Sequence, residues 1–138
     1  MNSHPDPAVG PVGAQPIDVR VLEQLIHDLG APSDYIINRF AQEMQTQQQV
    51  LQTLQALETP VDTGSHVQLD ALRRAAHRLK SSSLTIGAER LGQMARTVEL
   101  ALAPDSPGPR AVPGSLLDEI HHELQTVLEV LQRYAVRS

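Results

Sequence analysis

Aliphatic residues recur at spacings of three and four along most of this chain, and proline and glycine cut the pattern into five stretches. A stripe of that period fits one face of an α-helix; a strand would need a period of two. The first stretch carries Val21, Leu22, Leu25, Ile26 and Leu29, with Asp18 placed to cap its start and Gly30 to stop it. The second runs through Ile36, Phe40, Met44, Gln47, Leu51 and Leu54, with Ser33 as its cap and Thr59-Pro60 as its end. Its polar run, Gln45 to Gln49, stays within the same register. After a loop around Val61 to Ser65, the third stretch presents Leu69, Leu72, Ala76, Leu79 and Ser83, and Gly87 marks a tight turn. The fourth carries Ala88, Leu91, Met94 or Ala95, Val98 and Leu102. Pro104 to Gly114 holds four prolines and two glycines and reads as a loop. Ser115 with Asp118 resembles a capping box ahead of the last stretch, Leu116, Leu117, Ile120, Leu124, Val127, Leu128, Leu131 and Tyr134. These patterns predict an all-α fold, an antiparallel four-helix bundle with a short additional N-terminal helix across one end.

Composition agrees. Only Tyr35, Phe40 and Tyr134 are aromatic, so the core has to be aliphatic, as helix-on-helix packing allows. The chain's 138 residues suit one domain. Met1 to Pro16, rich in proline and glycine, reads as a flexible tail, and residues 17–138 as the bundle. A net charge of −5 argues against a nucleic-acid binder. The sequence has no apolar run of membrane-spanning length, and its start lacks the basic and apolar regions of a signal peptide. The absence of cysteine removes disulfides, thiol nucleophiles and cysteine-based zinc sites, and it fits the expected cytoplasmic location.

One histidine stands apart. At about 100° per residue, His77 lies roughly 125° from the centre of the third stripe, on the solvated side. Arg73, Ser81 and Leu84 share its face, and Arg73, Arg74, Arg78 and Lys80 crowd around it in an otherwise acidic chain. Imidazole, with a reference pKa of about 6.5, offers a free lone pair at neutral pH. It can attack an acyl phosphate without a base to remove a hydroxyl proton, and the transfer needs mainly positioning and charge neutralisation. Lys80, one turn away, can supply the charge. The alternative is an exposed histidine on a solvated basic face with no chemistry attached.

The run His77-Arg78-Leu79-Lys80-Ser81-Ser82-Ser83-Leu84-Thr85-Ile86-Gly87-Ala88 resembles the signature of histidine-containing phosphotransfer domains. Glu89 to Met94 with Val98-Glu99, Val21 to Leu25 with Asp28-Leu29-Gly30, and Phe40 extend the likeness over roughly Ile17 to Tyr134. The resemblance implies a phosphorelay intermediate that exchanges phosphate with receiver domains of response regulators, or with a hybrid sensor kinase. It implies His77 as phosphoacceptor and Lys80 as the cation beside the phosphate. Glu99 falls where some members hold the imidazole by a hydrogen bond. Ser81 stands where the family often has glycine. Arg73, Arg74, Ser81 and Leu84 are the expected docking residues, and Ser82 and Ser83 are expected to pack between helices. The expected chain is a monomer and a stoichiometric carrier rather than a turnover enzyme, with no cofactor of its own, the receiver supplying Mg²⁺. A helical interaction module that binds a receiver or kinase without taking phosphate is the alternative.

Other chemistries fit poorly. A sensor-kinase dimerisation helix would follow its histidine with an acidic residue, where Arg78 stands here, and no Gly-rich nucleotide-binding segment exists. His121 and His122 are adjacent and diverge on a helix, His122-Glu123 does not open a zinc-protease motif, and His27 and His66 have no evident partners, so no metal site is expected. A Ser-His-Asp hydrolase would need a strand-turn-helix setting that is absent.

Overall fold

The computed structural model describes residues 15–56, 66–105 and 112–137. Among them are five helices: α1 (Val19–Leu29), α2 (Ser33–Ala56), α3 (His66–Thr85), α4 (Glu89–Ala101) and α5 (Gly114–Arg137). Helices α2 to α5 form a closed ring of neighbours, α2 on α3, α3 on α4, α4 on α5 and α5 back on α2. The predicted stripes of α2 to α5 supply most of its interior, whereas in α1 Leu22 is buried and Val21 and Leu29, expected on the same face, are exposed. Leu69, Leu72, Ala76, Leu79 and Ser83 of α3 are buried with Leu91, Ala95 and Val98 of α4, Ile37, Met44 and Leu51 of α2, and Leu117, Ile120, Leu124, Val127 and Leu131 of α5. In α2 the core position falls on Ile37, one residue past the expected Ile36, which is buried outside this cluster. Ala95, rather than Met94, takes the buried position in α4. Ile17, ahead of α1, is also buried. Each fully buried leucine or isoleucine contributes about 1.5–3 kcal/mol relative to exposure, so this aliphatic stripe holds the bundle without aromatic anchors.

The polar run in α2 remains helical for a reason visible in its contacts. Gln47 and Gln48 are both buried, and each finds a partner, Glu43 Oε2 at 3.3 Å and His121 Nδ1 of α5 at 3.1 Å. Satisfied amides can sit inside the ring where unsatisfied ones would cost energy. Ser83 is fully buried with its Oγ 3.9 Å from Met44 Sδ, a packing role.

Two helix starts differ from the sequence reading. Ser33 is the first residue of α2 rather than its cap, and Pro32 O accepts from Ile36 N–H. Helix α5 begins at Gly114, so Ser115 lies inside the first turn, where Pro113 O accepts from Leu116 and Leu117. In both places a proline carbonyl supplies the first acceptor, which a side-chain motif does not reveal. The tail over residues 1–14, the side chain of Leu54, the stop at Thr59-Pro60, the loop 61–65 and residues 106–111 of the second loop lie outside the described residues.

The α3–α4 connection fixes the geometry of the site. At the end of α3, Gly87 takes φ 88°, Gly87 N–H donates to Leu84 O, and Ala88 N–H donates to Ser83 O at 2.8 Å. This Schellman arrangement needs a left-handed residue, a conformation that glycine enters without the Cβ penalty. The helices then run antiparallel about the turn. His77 meets Glu99 and Leu84 meets Gly92 across the seam. Helix α1 lies across the end where α3 stops. Asp18 N–H donates to Gly87 O at 2.8 Å, and Tyr134 Oη near the end of α5 donates to Glu23 at 3.3 Å.

Candidate functional site

His77 projects from the middle of α3 with 56% of its side chain exposed. Its Nδ1 lies 2.7 Å from Glu99 Oε2 on α4. The other carboxylate oxygen, Oε1, accepts from Lys80 Nζ at 2.8 Å. Glu99 itself is only 17% exposed, so one half-sunken carboxylate holds both a ring and an ammonium at the lip of the α3–α4 seam.

Charge decides the tautomer. Desolvation opposes ionisation of Glu99, but the hydrogen bonds from Lys80 and His77 and the ammonium charge of Lys80 outweigh it and hold the acid below its ordinary value of 4.5. Glu99 is therefore a carboxylate near neutrality and has no proton to give. The Nδ1 nitrogen has to carry the hydrogen and donate it, which leaves the Nε2 lone pair directed away from Glu99.

A pH dependence follows from the sign of that shift. A folded-state pKa below the unfolded one stabilises the fold above about pH 4.5, and this contribution disappears as pH falls through the lowered folded value. The stability gap between the native chain and Glu99→Gln is expected to be open at neutral pH and to close at lower pH. Urea midpoints for both chains across that range measure it. A gap that widened on acidification would contradict the assignment.

The other predicted residues fall around this centre. Arg74, Ser81 and Leu84 are exposed, and Arg73 is half-buried with its guanidinium Nε 3.9 Å from Asp70 Oδ1. That separation is beyond hydrogen-bond reach, and neither atom has a hydrogen-bond partner. The pair is a loose ion pair, and it draws some of Arg73's charge back to its own helix. Two residues on α4 were not singled out from the sequence. Arg96, exposed, stands three residues before Glu99 on the same flank. Gly92, buried, lies under Leu84. A glycine inside a helix was the available signal for the second. The first could be found only once the α3–α4 register was known.

A groove of about 500 Å³ runs along α1 and is lined by Asp18, Arg20, Val21, Gln24, Leu25, Asp28 and Thr85, with none of the three central residues in its wall. Among the described residues no group of His, Asp and Glu is arranged to hold a metal ion, and no helix is long and apolar enough to cross a membrane.

A comparison with family models matches the Hpt domain over residues 36–132. The chain belongs to the Hpt domain family. The match spans α2 to α5, the ring that carries His77, and leaves α1 outside it. Neither the curated proteins nor the solved structures searched contain a match to the chain. As an Hpt domain it takes part in two-component phosphorelay, and its partners are receiver domains of such systems.

Proposed function

We propose that this Hpt domain relays a phosphoryl group between aspartates of receiver domains, with His77 Nε2 as the carrier atom. The observation that carries the reading is the ring's arrangement, with Nδ1 engaged by Glu99 and the side chain more than half exposed to solvent. In the forward step the Nε2 lone pair attacks the phosphorus of an aspartyl phosphate on the receiver. The N–P bond forms as the P–O bond to the aspartate breaks, and the carboxylate leaves with that electron pair. The ring gains a positive charge, its proton stays on Nδ1, and Glu99 balances it. The reverse step delivers the phosphoryl group to a second receiver's aspartate.

Lys80 offsets charge on the equatorial oxygens while remaining anchored to Glu99. The receiver supplies Mg²⁺, and this chain contributes no cofactor. It acts once per phosphoryl group received, as a stoichiometric, monomeric, cytoplasmic carrier rather than a turnover enzyme. The exposure of His77 on α3 suits this role, because the ring has to enter the partner's active cleft. Arg73 and Arg74 face the acidic rim of the receiver's metal site and affect mainly encounter rate, while Ser81 and Leu84 lie under the docked surface.

The test is transfer from a receiver domain charged with acetyl phosphate and an isotopic label. Acid-labile, alkali-stable label should appear on this chain, and nitrogen NMR should place phosphorus on Nε2. Binding of receivers without any label would assign the chain to the non-phosphorylated interaction module instead. Label on Nδ1 would remove the role given to Glu99.

A further inference from the structure

We infer that Gly92 is a positioning residue for partner docking, acting by providing the slot in which Leu84 is held. The inference rests on the phosphocarrier reading above and adds to it a residue outside the reacting groups. Glycine inside a helix is destabilising by roughly 0.5–1 kcal/mol relative to alanine, so its presence within α4 calls for a local cause. Gly92 is buried, and an added Cβ would lie 2.5 Å from Leu84 Cδ2 and 2.8 Å from Leu84 Cγ. The nearest backbone atom, Lys80 O, would be at 3.6 Å, an ordinary contact. The α3 backbone therefore has room for alanine. Only the Leu84 side chain does not.

Leu84 is a solvent-edge residue, 39% exposed, seven positions after His77 and so about 10.5 Å along the same face of α3. Its isobutyl group rests on the bare backbone of Gly92 with its outer side turned to solvent. A side chain supported from beneath loses less conformational freedom when a partner covers it than a freely rotating one would. Alanine at 92 would push Leu84 off this support and leave a mobile apolar residue at the docking edge. The effect belongs to binding and not to the chemistry at His77.

The test uses the full chain and the receiver, charged with acetyl phosphate, that labels it fastest from a panel of receiver domains. In Gly92→Ala the half-saturating receiver concentration should rise about fivefold with little change in the maximal transfer rate, the pattern of lost uniform binding. Labelling by phosphoramidate, a small donor that needs no docking, should stay as in the native chain. In the double variant Leu84→Ala/Gly92→Ala, transfer should be no weaker than in Leu84→Ala alone, because the alanine then has nothing to displace. That comparison also holds if Gly92→Ala alone folds poorly, since the double variant lacks the clashing group. Native-like receiver transfer in Gly92→Ala, or a full additional loss in the double variant, overturns the inference. A native chain that takes label from neither donor overturns the phosphocarrier reading instead.

Discussion

His77→Gln is expected to abolish acid-labile labelling of this chain by a phosphorylated receiver while leaving the bundle folded. Glutamine is close to histidine in size and polarity but has no nucleophilic ring nitrogen, so the loss should be complete and not graded. The side chain is largely in water, and exposed substitutions usually move stability by no more than about 0.5 kcal/mol. Circular dichroism and a thermal midpoint near that of the native chain would show that the missing label reflects chemistry. Receiver binding should persist, because the arginines, Ser81 and Leu84 remain in place. Residual label on the variant at the native level would move the carrier atom to another residue and end the assignment.

The second large effect concerns the fold. Gly87→Ala should cost about 3 kcal/mol and lower the thermal midpoint by about 10 °C. Two causes add. The residue sits at φ 88°, where an L side chain is strained, and a Cβ there would lie 2.7 Å from Asp18 O and 3.0 Å from Val21 Cβ. Both neighbours belong to the start of α1, so alanine would pry α1 away from the α3–α4 turn. Gly30→Ala is the internal control. Its φ is 67°, but nothing lies within 4 Å of its added Cβ, so it should show only the conformational part, about 1 kcal/mol. Equal losses at the two positions would mean that the contact with α1 contributes nothing.

Much of this architecture could be read from spacing. Most buried residues in α3 and α4, Ala75 and Gly92 apart, fall on the predicted stripes, because a 3.6-residue period is a local property of each helix. The exposure of His77 follows from the same geometry. Contacts across the seam were harder to see. That His77 shares Glu99 with Lys80, or that Leu84 rests on Gly92, depends on the register of α4 against α3, and no single stretch contains it. The register is set by the turn at Ile86–Ala88, with His77 and Glu99, and Leu84 and Gly92, equidistant in sequence from Ala88. The resemblance placed Glu99 near the ring, but not the second hydrogen bond from Lys80. Ser33 and Ser115 were misplaced because Ser/Thr caps are a side-chain signal, whereas here the proline carbonyls begin the helices. The burial of Gln47 and Gln48 was legible only in part, since their partners lie on neighbouring turns and on α5.

The double use of the Glu99 carboxylate has a consequence for how this chain tolerates change over generations. Positions 77, 80 and 99 share one anion, with one oxygen for each basic group. Replacing Lys80 frees an oxygen and alters the electrostatics felt by the imidazole; replacing Glu99 releases both neighbours together. Substitutions within this trio should therefore be epistatic, and drift at one of them should be followed by compensation at another rather than by independent variation.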